Sequence, residues 1–389
     1  MPELASKNSC TGCTACMSVC PENCIEMKTD ADGFFYPEIT NASLCIKCGQ
    51  CERVCPLNDV KTSDLPKAYA AYTNEDSLRK DSSSGGVFSE LAKYVLSQNG
   101  AVYGAEYDEK FGVKHTRVDN GNDLGKIRGA KYSESNLGYT FKDVLSDLKQ
   151  GKKVLFSGTP CQVAGLKSFV KKDYENLYCL DFVCHGVPSP NAWRAYVDYR
   201  AKLDSDGKMP TEINMRSKCS GWSNYKYSSV FKYENGTEKV VSNADNLFMS
   251  LYIGGCLSKP SCEECSFKGY SRVSDITIGD FWGIWDTDPG MDDNKGTSVV
   301  LVHSEKGKAL WSAISDKLTT KEATLEQASR LNTSILVSSK PNKYREKALK
   351  RIRRGRIDTC GAILDMSQTS IINIIKGKIK RLLRVVMKK

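Results

Sequence analysis

Histidine is what this chain most conspicuously lacks: only His115, His185 and His303 occur in 389 residues, which excludes a histidine-rich metal centre. No run of about 18 apolar residues exists, so no segment reads as a membrane-spanning helix. The opening Met-Pro-Glu-Leu-Ala-Ser-Lys has no apolar stretch of the kind a secretory signal needs. The 17 cysteines are too sparse for a disulfide-stapled secreted scaffold, and together these features predict a reducing, cytoplasmic setting. Acidic residues are scarce at one end. From Lys340 to Lys389 there are 16 Lys and Arg against 3 Asp and Glu, whereas the remaining 339 residues hold 40 against 43. The net charge of +10 therefore belongs to a tail rather than to the body. Stacking aromatics are missing between Lys347 and Arg356, which argues against nucleic acid as the partner.

What the chain does have is one cysteine spacing used twice: Cys10-x2-Cys13-x2-Cys16-x3-Cys20-Pro21 and Cys45-x2-Cys48-x2-Cys51-x3-Cys55-Pro56. This is the spacing of the bacterial two-cluster ferredoxin, in which three cysteines of a run hold one 4Fe-4S cubane and the fourth crosses to the other. It assigns Cys10, Cys13, Cys16 and Cys55 to a first cluster, and Cys45, Cys48, Cys51 and Cys20 to a second. Two-residue gaps let a tight loop wrap a cube, and the proline stops the chain continuing as a helix. Structural zinc is the rival, but it has no use for the third cysteine or the Cys-Pro ending. Cys24 lies outside both runs and reads as a small buried apolar side chain.

Residues 1–60 form this ferredoxin unit, and Val60 to Pro66 reads as a linker. Beyond it the pattern becomes strand, loop, helix, repeated. Ala68–Tyr72 reads as a strand, and Ser82-Ser-Ser-Gly-Gly86 opens a helix with Val87, Phe88, Leu91, Val95 and Leu96 on its apolar face. Further strands are expected at Ala101–Ala105, Lys153–Ser157 and Leu177–Val183, the last two each followed by a helix. After about Pro210 strands dominate, including a hairpin centred on Asn235-Gly236. The expected fold is α+β or α/β: the ferredoxin unit, a mainly parallel sheet with covering helices and an antiparallel addition, and a basic helical tail. The body divides at about residue 150, into a flavin-binding part (66–150) and a second part (151–330).

Ligands in open α/β sheets bind at the carboxyl ends of strands. Cys161 and Cys184 each follow an apolar strand directly, and Cys256, Cys262 and Cys265 come later; four of these five suffice to close around a third cubane. Cys179 falls mid-strand, and Cys219 and Cys360 have no partner spacing. These three read as bystanders.

Six segments in order, Ser83-Ser-Gly-Gly86, Gly129-Ala-Lys-Tyr132, Gly158-Thr-Pro-Cys-Gln162, Cys184-His-Gly186, Pro260-Ser-Cys-x2-Cys265 and Ser274-Asp-Ile-Thr-Ile-Gly-Asp-Phe-Trp-Gly283, resemble the beta subunit of coenzyme F420 hydrogenase/dehydrogenase. The resemblance runs from residue 1 to about 320. It implies FAD beside the iron-sulfur clusters, with Ser84, Gly85 and Gly86 against the flavin, Arg128 and Lys131 adding charge at its diphosphate, and Asp280 and Trp282 near the ring. A serine-glycine opening at a helix N-terminus suits phosphate. The third cluster is assigned to Cys161, Cys184, Cys262 and Cys265, with Cys256 as the substitute should Cys161 face the flavin. His185 is the one histidine placed to act as a proton donor.

The expected activity is that of an iron-sulfur flavoprotein oxidoreductase, passing electrons between 4Fe-4S clusters and FAD to a hydride carrier such as coenzyme F420, or to an organic substrate, as in reductases of surface-polysaccharide synthesis. A non-enzymatic electron-transfer subunit handing electrons to a partner protein is the alternative. In the tail (340–389), Ile371, Ile375, Ile379, Leu382 and Val386 recur at helical spacing among Lys376, Lys380, Arg381 and Arg384. Residues 370–389 thus suit a helix lying on an anionic membrane at the inner face of the cell, or one packed on the body with a solvated basic face.

Overall fold

The computed structural model describes residues 1–60 and 62–364; the tail helix expected over 370–389 lies outside the described residues. The N-terminal unit holds two short helices, Ala15–Val19 and Gln50–Arg53, and between them a hairpin of β1 (Ile25–Thr29) and β2 (Phe35–Ile39), paired from Ile25 with Ile39 to Thr29 with Phe35. Asp30 makes its turn, because its Oδ1 accepts from the N–H groups of Asp32 and Phe34 at 2.9 and 3.0 Å. The unit's apolar core is small, with Phe34, Tyr36, Met17 and Ile25 buried around the thiols.

The body is built on a nine-stranded sheet in the order β14-β3-β13-β12-β8-β7-β4-β5-β6. These strands are β3 (Lys67–Thr73), β4 (Ala101–Tyr107), β5 (Val113–Val118), β6 (Ser135–Asn136), β7 (Val154–Gly158), β8 (Leu177–Phe182), β12 (Ile276–Asp280), β13 (Ser298–Val302) and β14 (Leu318–Ala323). The four central strands β12, β8, β7 and β4 are parallel. Strands β13, β3 and β14 continue the sheet antiparallel on one side, and β5 does so on the other. The sheet is therefore mixed, where the alternation of strands and helices predicts one mainly parallel. Alternation along β7 places helices on both faces: Val154 and Phe156 pack into one layer and Leu155 into the other.

Because β3 lies between β13 and β14, the segments before and after residue 150 share one sheet. The hairpin at Asn235-Gly236 joins β10 (Ser228–Lys232) to β11 (Glu238–Ser242), which with β9 (Glu212–Ser217) makes a separate antiparallel sheet. Part of the segment expected as a basic tail from 340 packs on the body. Helix Arg345–Arg353 buries Ala348, Leu349 and Ile352, and Ile357, Cys360 and Ile363 follow them into the same core. Apolar spacing at i, i+1 and i+4 within a highly charged stretch fixes that helix to the body.

Several contacts join the N-terminal unit to the body, among them Arg353 with Asp32 and Ser189 with the Asp32 carbonyl, and two of them are close and buried. Gly165, in helix Pro160–Val170, lies so close to Cys13 that an added Cβ would stand 2.8 Å from the cysteine's Cβ and Sγ. Beside it the Lys259 ammonium pairs with Glu134 at 2.6 Å and donates to the Phe35 carbonyl at 2.8 Å, while Glu134 accepts from the Phe35 N–H at 3.0 Å. Both side chains are buried. Removing one partner leaves an uncompensated buried charge, so Lys259→Met should destabilise the chain by about 3–5 kcal/mol and expose the N-terminal unit to limited proteolysis. A denaturation midpoint within error of the parent's would show that the pair does not hold the two together.

Candidate functional site

Burial and mutual proximity sort the thiols into three sets. Cys13 and Cys16 are pushed up to about 12, first by burial and then by neighbouring thiols that include Cys10 and Cys55. Cys20, Cys45, Cys48 and Cys51 line a second small cavity of about 20 Å³, closed by Pro21, Ile25, Ile39 and Ile46. The Cys24 N–H donates to the Cys20 sulfur at 3.3 Å, the polarity a cluster thiolate requires, while its own side chain is buried as expected. Cys16 also feels Cys51, so the two sets adjoin.

The third set lies in the body. The Cys262 thiol is raised by burial and then by Cys184, Cys161 and Cys265, and it accepts the Val187 N–H at 3.3 Å. Cys161 is raised by burial and then by Cys265, with Cys184 and Cys13 among its neighbours. Cys161 occupies the first turn of helix Pro160–Val170, where the Thr159 and Gln162 capping box and Pro160 fix the chain as it leaves β7. Cys184 follows the end of β8. Cys256 is elsewhere: it is fully buried in an apolar core beside Cys360, which makes it a packing residue. Cys179 is buried in β8 and Cys219 is exposed. Among the described residues no three His, Cys, Asp or Glu side chains are arranged around a single metal ion. Thiols that grip the corners of a cube stand apart, whereas the four ligands of one zinc must converge. The donor chemistry of the three sets fits cubanes.

Beside the third set lies a cavity of about 700 Å³ along the carboxyl edge of the parallel strands. Ser84, Gly86, Arg128, Lys131, Cys161, Cys184, His185, Asp280 and Trp282, each singled out from the sequence, all line it, as does Thr11 of the first cysteine loop. Gly85 does not. Its N–H donates to Ser298 Oγ at 2.9 Å, and an added Cβ would meet the Ala71 carbonyl at 2.3 Å, so this glycine lets the loop press onto β3 and β13 instead of offering an amide to a ligand. Gly86, the N-cap of helix Val87–Ser97, has φ +90°, a conformation that disfavours any side chain, and an added Cβ would stand 2.6 Å from Thr73 Cγ2.

Cations gather at the loop. Arg128 donates to Ser89 Oγ at 3.1 Å, and Lys131 reaches the carbonyls of Arg128 and Gly129 at 2.9 and 3.3 Å. Burial in the cavity wall holds Lys131 down at about 8. Lys218, which the sequence did not mark, donates to the carbonyls of Ser84 and Lys295 at 2.7 Å each and to that of Arg79; burial brings it down to about 7. At the other end Asp280 is taken up by Arg216 at 2.9 Å and by the Trp222 indole at 3.1 Å, which makes it an orienting group. Arg216 lies over Tyr227 at 3.8 Å, and Trp282 stacks on Trp222 at 4.7 Å, whereas Phe281 is buried in the core. No motif announced Arg216; a lone arginine in a half-buried strand carries no sequence signal beyond its burial.

His185 bonds Ser334 Oγ through Nδ1 at 3.1 Å, and its Nε2 faces the Ile253 carbonyl without a formed hydrogen bond. Burial lowers its pKa, so it stands neutral in the wall. A second cavity histidine escaped notice. His115 Nε2 donates to the Ser157 carbonyl at 3.0 Å, which leaves Nδ1 to accept from Ser135 at 2.7 Å, and burial brings it down to about 4.

The paired cysteine runs of the N-terminal unit, with further thiols in the body beside a strand-end cavity, define an iron-sulfur electron-transfer protein. The chain belongs to the coenzyme F420 hydrogenase/dehydrogenase beta-subunit family: the model of that subunit's N-terminal part matches residues 68–140, the model of its C terminus matches residues 151–327, and a 4Fe-4S dicluster domain matches residues 9–58. Of the solved structures, one chain of the F420-reducing [NiFe] hydrogenase complex from Methanosarcina barkeri, studied by xenon derivatization, is similar at 19% identity and a TM-score of 0.47, over 80% of this chain and 95% of that chain. No curated protein matches the sequence.

The ligand sets are open to a count of iron. Protein purified without oxygen should carry three cubanes' worth of iron and sulfide, and the double variant Cys262→Ser, Cys265→Ser should lose one cube's worth. Cys256→Ser should lose none. Iron loss in Cys256→Ser, or zinc in place of iron, would overturn the assignment.

Proposed function

We propose that the chain is the two-electron end of an iron-sulfur flavoprotein oxidoreductase, taking single electrons at the N-terminal unit and reducing a small molecule in the cavity. One observation carries this reading: the serine-glycine loop with its cations, the third thiol set and the aromatic wall all face a single cavity of about 700 Å³, within the range of small-molecule sites. The residues present fit FAD. A bound flavin supplies the exchange between one-electron and two-electron chemistry that clusters alone lack.

Ser83 and Ser84, the backbone at Gly86, Arg128 and Lys131 hold the diphosphate; Ser83 is already fixed by the Ala130 N–H at 2.8 Å. Trp282 and Tyr227 wall the ring end, and Asp280 keeps Arg216 turned toward it. His185 stands neutral beside Cys184, its Nε2 buried without a hydrogen-bond partner. The electron donor is a redox protein docking at the N-terminal unit, a reading supported by membership of a hydrogenase/dehydrogenase subunit family. The acceptor is a hydride carrier of the coenzyme F420 kind or an organic substrate, such as one met in surface-polysaccharide synthesis. Turnover of a small molecule by the isolated chain distinguishes this reading from a subunit that only relays electrons.

Lys131 gives a test that precedes any knowledge of the substrate. Its pKa is depressed from 10.5 to about 8, so its ammonium is present below pH 8 and is lost as pH rises through that value. FAD should therefore bind more weakly at pH 9 than at pH 7. Lys131→Met should raise the Kd at pH 7 by about tenfold or more, the worth of a charge-assisted hydrogen bond of roughly 1.5–3 kcal/mol, and should flatten the pH dependence. A variant binding FAD as tightly as the parent at both pH values would place the flavin elsewhere.

A further inference from the structure

The cavity mouth is apolar, exposed and ringed by cations. Phe182, Tyr225, Ile253 and Leu331 line the cavity yet are 39, 41, 51 and 38% exposed, and Leu336 and Val337, which follow the lining residues Thr333 and Ser334, are 43 and 50% exposed. Single exposed apolar residues are ordinary, but a contiguous set around one opening marks a binding surface. Lys226 is exposed next to Tyr225. Lys340 and Lys343, also exposed, are brought beside Ile253 because Asn342 donates from its backbone to the Gly255 carbonyl and from its side chain to the Gly254 carbonyl, each at 3.0 Å.

The chain leaves the described structure at the same place. A Cβ on Gly254 would lie 3.6 Å from Leu364 Cδ2, so the last described residue sits one position from the Ile253 rim. The 25 residues that follow hold seven Lys and Arg against one acidic residue, with isoleucine, leucine and valine at helical spacing.

We propose that the face carrying the cavity mouth docks on an anionic lipid surface, so that the cavity opens into the headgroup layer and receives a substrate held there. Apolar side chains enter the boundary between headgroups and acyl chains while flanking lysines meet anionic headgroups, and neither works alone as well as the two together. A protein partner would need an acidic face matched to this rim. The basic, apolar sequence that continues from Leu364 favours lipid, because it repeats the same pairing of cations with aliphatic residues. The inference concerns a surface and stands apart from the flavin reading, since lipid binding is measured without turnover.

The test is co-sedimentation of the full chain with vesicles of phosphatidylcholine alone and of phosphatidylcholine mixed with phosphatidylglycerol. The parent should bind only the anionic vesicles, and less so in high salt, where the Debye length falls from about 10 Å at 0.1 M to about 3 Å at 1 M. Ile253→Asp and Val337→Asp, both at exposed positions, should each weaken binding several-fold with the tail intact and iron content unchanged. Lys340→Glu with Lys343→Glu should act in the same direction. Two results would overturn the proposal: equal binding to neutral vesicles, or rim variants that bind as the parent does, which would leave the tail acting by itself or covering the rim in cis.

Discussion

The arrangement of thiols depends on one close approach, that of Cys13 to the backbone of helix Pro160–Val170 at Gly165. There the N-terminal unit has no room for even a methyl group between itself and the helix that presents Cys161. Cys13 belongs to the first set and Cys161 to the third, and the two thiols are near enough to influence each other. The neighbouring Lys259 and Glu134 pair makes that approach specific. Buried charges demand complete partnering, and here the backbone of Phe35 supplies the remaining hydrogen bonds, so any other docking of the unit would strand an ion in the core. Apolar packing alone is more permissive. Ala15 and Val54 would tolerate small shifts against Phe141 and Val163, but the ion pair does not.

The cavity follows a complementary logic. Lys131 in its wall and Lys218, bonded to the Ser84 carbonyl, are desolvated, and burial weakens both as charged groups. Carbonyl oxygens accept from both, which keeps the loop in shape. Arg216 has a close carboxylate partner in Asp280, and it lies between Tyr227 and Trp282 as a fixed planar donor. One end of the cavity thus suits phosphate, and the other suits a planar ring carrying polar substituents. The two ends are joined by the strand ends that carry Cys161 and Cys184.

Part of this was legible in the sequence because it is local. Ferredoxin spacing, the strand-loop-helix alternation and the Asn235-Gly236 hairpin each need only a few consecutive residues, and their elements appear within a residue or two of where they are expected. Other expectations failed where long-range pairing decides. The sheet is mixed because β3 inserts between β13 and β14, from sequence more than 200 residues away, and neighbouring residues carry no record of such a partner. Gly85 looked like a phosphate amide, yet the hydroxyl of Ser298 claims its N–H. The segment after Lys340 looked like a tail by charge count, although three apolar residues in one helix hold it to the core.

The sequence by itself determined that the chain handles electrons, because a thiol run of fixed spacing can wrap a cube without help from distant segments. It also determined which loops end the central strands. Only the tertiary structure decided which distant cysteines complete the third set, sending Cys161 to it and Cys256 into an apolar core beside Cys360. Arg216, His115 and Lys218 likewise acquired a role only through folding. The physical reason is the same in each case: a spacing rule acts through bonds along the chain, whereas a ligand set or a cavity wall is made of contacts across space, and these exist only once the sheet has chosen its order.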